Sequence, residues 1–203
     1  MIEGDICLQT DSSRSSVREA MRRLAAEGLV EIEHHKGARV RSLGIDEVLE
    51  LYQVREVLEG LSARLAARNI DRPGNREKLI RIENDFDKTF DGAPSKYMTY
   101  NVAFHRLVVE LADNARLTEL FEQLELPAFL SLLHVVVDPP SVDLSRSEHR
   151  PIVAAILAGR EKAASTAMQK HISRTAQHVK DHAGETPLVR KTPPGRRAQP
   201  RSK

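Results

Sequence analysis

From Ile45 to about Ala183 the chain keeps a helical rhythm. Apolar residues Val48, Leu51, Val54, Leu58, Leu61 and Leu65 recur at steps of three and four, the spacing that lines one face of an α-helix. Turn-forming residues interrupt the pattern at Asp71-Arg-Pro-Gly-Asn75, Asp91-Gly-Ala-Pro94, Asp113-Asn114, Asp138-Pro-Pro-Ser141 and Gly159. These breaks predict six helices, over about 45–70, 74–91, 95–112, 115–137, 147–158 and 161–183. Six amphipathic helices joined by short loops pack as an antiparallel bundle.

Residues 1–44 carry a different pattern. Ser13 can cap a helix running to about Glu27, with Ser16 and Glu19 also spaced as a capping box, and Gly28 ends it. Leu29-Val-Glu-Ile-Glu33 and Ala38-Arg-Val-Arg-Ser42 then alternate apolar and polar residues around His34-His-Lys-Gly37. That predicts a two-stranded hairpin with glycine at its tip. Helix, helix, hairpin is the order of a winged helix-turn-helix. The expected fold is therefore mostly α, with a partial winged helix-turn-helix over 1–44 followed by an antiparallel six-helix bundle over 45–183.

Charge sharpens this division. The chain has 203 residues and a formal net charge of +2. Residues 1–44 carry no net charge, 45–183 carry 18 Lys and Arg against 21 Asp and Glu, and 184–203 carry six against one. The near-neutral total is an acidic body with a basic tail. That tail holds four prolines and little to bury, so disorder is expected over 184–203. It reads as a solubilising extension, with a nonspecific phosphate-tracking arm as the alternative.

Composition removes several functions. A single cysteine, Cys7, excludes a disulfide framework and a structural zinc site built from thiolates. Aromatic residues make up 4% and Trp is absent, which argues against a stacking platform for single strands. The longest apolar stretch, Leu126–Val137, is interrupted by Pro127, Ser131 and His134 and is too short to span a membrane. With no basic-then-apolar leader, a cytoplasmic protein without membrane partners is expected.

Two constellations carry candidate chemistry. On the helix from Ser13, residues Val17, Ala20, Met21 and Leu24 share one face, and Arg14, Arg18 and Arg22 form a neighbouring stripe. Such a stripe can lie along a major groove; a solvated charged face is the plainer reading of the stripe taken by itself. In the bundle, His105 follows Asn101 by four residues, while His149 and His171 fall on two other helices. One ligand pair from one helix plus single ligands from others is how bundles assemble interior metal sites. Three imidazoles and an amide oxygen suit Zn first, with Ni, Mn or Fe possible, although scattered histidines more often serve as core or surface groups.

The N-terminal segment resembles a known family. Ser13-Arg14-Ser-Ser-Val17-Arg18-Glu19-Ala20-Met-Arg-Arg23-Leu24-Ala-Ala-Glu27-Gly28-Leu29-Val30-Glu31, followed by Lys36-Gly37-Ala-Arg-Val40, closely resembles the GntR family of bacterial transcriptional regulators. The resemblance implies operator contacts from Ser13, Arg14, Ser15 and Arg18, joined by Arg22 of the same stripe. It also implies a wing at His34, His35, Lys36 and Gly37 that enters or flanks the minor groove. The family's first helix and lead-in, about 25–30 residues of a three-helix winged domain, are absent, so a truncated or mis-started module is expected. Thr10-Asp11-Ser12 stands where the family places Leu-Gly-Val. Without the first helix, Val17, Met21 and Leu24 are expected to lose much of their cover.

Residues 45–183 are similar to the ligand-sensing FCD domain of the FadR branch. The match rests on Arg55-Glu-Val-Leu-Glu59, Asn101-Val-Ala-Phe104-His105, Asn114, Glu148-His149, Ala154-Ala155-Ile156-Leu-Ala-Gly159 and Met168-Gln-Lys-His171. Six helices place it near the VanR-type subgroup. The resemblance implies that Asn101, His105, His149 and His171 hold a divalent metal, whose coordination a small carboxylate effector completes. Asn101 departs from the family's usual Asp, which lowers metal affinity and raises the net charge of the site. Arg55 can bind the effector carboxylate bidentately or pair with Glu59 at i+4, and His134 is a candidate wall or effector contact.

Together these features imply a homodimeric regulator whose operator affinity follows the effector. Two alternatives stand beside it. One is a ligand-binding or dimerisation remnant that no longer reads DNA. The other is a metal-dependent enzyme, which lacks a recognisable general base beside the ligands.

Overall fold

A computed structural model describes residues 3–26, 30–33, 37–40, 44–89, 93–132 and 139–182. The N-terminal part consists of α1 (Glu3–Thr10), α2 (Arg14–Ala26), β1 (Val30–Glu33) and β2 (Gly37–Val40). The rest is helical: α3 (Ile45–Arg68), α4 (Asn75–Thr89), α5 (Pro94–Ala112), α6 (Ala115–Leu132), α7 (Pro139–Leu157) and α8 (Glu161–Asp181).

The turn between α1 and α2 keeps its geometry without a glycine. Asp11 occupies the left-handed region at φ 49°, which a short polar side chain tolerates better than most residues. The turn is closed by Ser12 N donating to Cys7 O at 3.2 Å. Ser13 then caps α2, its Oγ accepting from Ser16 N at 3.1 Å. With Ser16 already inside the first turn, the alternative capping box from Ser16 to Glu19 is not used.

The expected loss of cover over α2 does not occur. Val17 and Met21 are buried with Val30 and Ala38, and Ile6, Cys7, Leu24 and Ala25 pack around them. Helix α1 and the hairpin supply the cover. Ala20, expected on the same face, is exposed. The hairpin is antiparallel, pairing Val30 with Val40, Glu31 with Arg39, Ile32 with Ala38 and Glu33 with Gly37. Gly37 opens β2 at φ 94°, a backbone position that favours glycine.

In the bundle, α3 packs against α5, α6, α7 and α8 and is the central helix. Its most buried face runs beside the Leu and Val stripe of the sequence, of which Val48 is buried, Leu51, Leu58, Leu61 and Leu65 are half-buried and Val54 is exposed. Tyr52, Arg55, Glu59, Gly60, Ser62, Ala63, Ala66 and Ala67 turn inward beside Val48, while Val54 and Val57 stay 50% and 64% exposed. Gly60 sets the approach to α8, because a Cβ there would stand 2.6 Å from Gln169 Cγ.

Helix α7 begins eight residues before its expected start. Pro139 and Pro140 predict a break in the sequence, but they occupy the first turn, where a missing N–H costs nothing and the fixed φ suits the helix. Gly159 ends α7 at φ 65°. Its N–H reaches Ile156 O and the Arg160 N–H reaches Ala155 O, both at 2.9 Å, a Schellman ending. Arg160 gives α8 no side-chain cap. The paired contacts of Arg68 with Glu161 tie the end of α3 to that start, at 3.1 and 2.8 Å.

Candidate functional site

Three helices deliver the histidines to one place. His105 comes from α5, His149 from α7 and His171 from α8, all buried, with one ring nitrogen of each lying within 4.8 Å of the others. Asn101 is buried one turn before His105, with its Oδ1 3.3 Å from Tyr97 Oη. Tyr97 Oη donates its proton to Ser145 Oγ at 2.6 Å. Phe104 closes the site from one side, stacked on His149 with centroids 4.1 Å apart.

Each imidazole is held by its Nδ1. Glu148 Oε2 accepts from His171 Nδ1 at 2.9 Å, and Glu59 Oε2 takes the Nδ1 of His105. Tyr100 Oη lies 3.1 Å from His149 Nδ1 and donates its own proton to Glu83 Oε1 at 2.5 Å. An ionised carboxylate only accepts, and a phenol that has given its proton to a carboxylate must accept from the ring. All three rings therefore carry a proton on Nδ1, which leaves Nε2 as the ligand atom of each imidazole when neutral. His149 Nε2 and His171 Nε2 face each other at 3.3 Å.

Two lone pairs at that distance repel unless a cation lies between them. A tetrahedral zinc with bonds of about 2.0–2.1 Å separates two ligating nitrogens by about 3.3 Å. The donor set thus fits a divalent ion, with neutral imidazoles anchored through their other nitrogen.

Burial keeps two of the rings, His149 and His171, neutral. Burial, reinforced by the neighbouring His171, His105 and Arg174, pushes His149 well below the usual histidine range. Burial also lowers His171 to about 4, against the opposing pull of Glu148. Burial by itself raises a carboxylate, yet Arg55 and His105 hold Glu59 down at about 2. Glu148 is likewise lowered despite its burial, through His171 and Arg174. Arg55 Nε donates to Glu59 Oε1 at 2.7 Å, and Arg174 pairs with Glu148 Oε1.

Asn101, His105, His149 and His171 thus share the buried interior, and Arg55 enters it through Glu59. The intrahelical pair weighed for Arg55 is made, and the guanidinium also lies 4.9 Å from the Tyr52 ring centroid. His134 falls outside the described residues. Tyr100, Tyr97, Ser145 and Arg174 are not singled out by the sequence, and Glu148 stands in it only as the neighbour of His149. Their only signal was position: Tyr100 precedes Asn101, and Glu148 reaches from α7 to a histidine on α8.

The second candidate site lies on α2. Ser13, Arg14, Ser15, Arg18 and Arg22 are all exposed there, and Ser13 Oγ lies 2.8 Å from Ser15 Oγ. Gly37 belongs to β2, while His34, His35 and Lys36 fall outside the described residues, as does the basic tail.

Comparison with known proteins places both halves. Residues 2–40 match the gntR family of bacterial regulatory proteins, and residues 50–174 match the FCD domain. The chain belongs to the GntR family. It is 35% identical over 176 residues to a probable D-xylose utilization operon transcriptional repressor of Paenarthrobacter nicotinovorans, covering 84% of this chain and 75% of that protein. It is 26% identical over 196 residues to the Uxu operon transcriptional regulator of Escherichia coli (strain K12), covering 87% and 76%. Among solved structures, E. coli McbR/YncC shares the fold at a TM-score of 0.79 and 18% identity, over 89% of this chain and 86% of that one. This GntR protein is accordingly a DNA-binding transcriptional regulator with a ligand-sensing domain, and not an enzyme. Among the described residues no helix is long and apolar enough to cross a membrane.

Proposed function

We propose that this GntR regulator senses a small carboxylate at a metal held by His105, His149, His171 and Asn101. Zinc is the first choice of ion, with Ni, Mn or Fe as alternatives. The observation that carries the reading is the pair of Nε2 lone pairs facing at 3.3 Å with both Nδ1 atoms engaged elsewhere. The ion supplies a positive centre that draws an anionic effector. Asn101 adds no charge of its own, so the ion's positive charge is left to the effector. Arg55 is the second effector contact, offering a planar guanidinium beside Glu59.

The regulator acts as a homodimer that presents two copies of α2 to operator DNA. Residues Ser13, Arg14, Ser15, Arg18 and Arg22 contact bases and phosphates, with His34, His35, Lys36 and Gly37 as the wing. Val54 and Val57 on α3 support the dimer, forming an exposed apolar stripe above the half-buried Leu61. Calorimetry of zinc-loaded protein against small mono- and dicarboxylates tests the sensing step. One of them is expected to bind, and Arg55→Lys to weaken it at least tenfold, since lysine keeps the charge and loses the bidentate geometry. Equal binding by Arg55→Lys would remove Arg55 from the effector site.

A further inference from the structure

The three histidines are held by three separate relays, each running outward from an Nδ1. Glu59 spends one oxygen on His105 and the other on Arg55. Glu148 does the same between His171 and Arg174. The third relay is phenolic, with Tyr100 linking His149 to Glu83. The two carboxylate relays begin on different helices, α3 and α7, and neither uses a residue proposed to touch the metal.

We propose that Glu59, Tyr100 and Glu148 are positioning residues that fix the tautomer and the aim of the three ligating imidazoles. The proposal rests on the metal reading above and extends it to residues outside the ligand set. An imidazole free to flip presents Nδ1–H or Nε2–H by turns, and only the first leaves Nε2 bare. Each relay removes that freedom before an ion arrives. Loss of such an outer partner costs about 10- to 100-fold in metal affinity.

The relays differ in how cleanly they can be cut. Glu59 is almost fully buried against Arg55, so removing its charge strands a buried guanidinium. Tyr100 offers the better variant, because phenylalanine keeps the ring stacked on Phe86 at 3.9 Å and loses only the hydroxyl. Glu148 is 17% exposed and Arg174 26%, so glutamine there strands its arginine less than at Glu59, although Arg174 Nε itself is buried.

The test uses the full chain with Zn or Co alone, comparing wild type, Tyr100→Phe, Glu148→Gln and a surface control, Glu119→Gln. Metal affinity is read by chelator competition, and ring tautomers by nitrogen-15 NMR of the metal-free proteins. Expected are one ion per wild-type and control chain, about 10- to 100-fold weaker binding in both relay variants, and a mixed tautomer at His149 in Tyr100→Phe. Wild-type affinity in both relay variants would overturn the proposal. So would weakened binding with the tautomers unchanged, which assigns the effect to packing. Wild-type protein that takes up neither ion would instead overturn the metal reading, and this proposal with it.

Discussion

His171 holds its proton in the fold only below about pH 4, against 6.5 in a free chain, because burial penalises the imidazolium more than Glu148 favours it. The unfolded chain then binds protons that the folded one refuses, so stability of the metal-free protein is full above the ordinary value near 6.5 and falls as pH drops toward about 4. His149 shifts in the same direction. Glu59 adds a second loss further down. Its folded value of about 2 against 4.5 means that stability present above 4.5 disappears as pH falls to about 2. Melting of metal-free protein is therefore expected to move down from pH 7 to 4, with a flatter profile in His171→Gln. A melting temperature constant across that interval would show that these rings are not held neutral.

At the scale of elements, α2 makes the firmest statement. Its arginines are exposed while Val17 and Met21 anchor the opposite side on α1 and the hairpin. Arg14→Ala with Arg18→Ala is expected to abolish salt-sensitive operator binding while leaving the helical circular dichroism intact. Unchanged binding would mean that α2 reads nothing. Ser13→Ala is expected to cost about 1 kcal/mol through the lost cap, measured by denaturant melting.

The elements were legible where pattern and role agree. Helix boundaries at Asn75, Ala115 and Glu161 fall within a residue of the expected starts, because loop residues there really do break the chain. The start of α7 was not legible, since a Pro-Pro pair signals a break and a first turn equally well. The inward face of α3 was hidden for a different reason. A buried face made of Arg55, Glu59, Ser62 and alanines looks polar or neutral in sequence, whereas Val54 and Val57 look like core. The site itself was half legible: the histidines and Asn101 emerged from spacing and resemblance, but a relay from Glu148 to His171 crosses two helices and leaves no periodic trace.

Across the whole molecule, the same inversion supports the proposed dimer. Side chains that would normally fill the middle of α3 face outward, and polar groups that serve the histidines take their place. Val57→Glu is expected to lower the sedimentation coefficient toward that of a monomer, and an unchanged value would move the dimer contact elsewhere. The proposed sensing site draws its residues from α3, α5, α7 and α8, which pack on one another within the FCD match, so an ion there would join the helices of the bundle.

The most direct measurement is the metal content of the purified full chain after exposure to zinc and removal of free ion, by elemental analysis. Expected from the metal reading are one zinc per wild-type chain and none in His105→Ala or His171→Ala, with both variants still helical. Zinc retained in both variants, or absent from wild type, would contradict it.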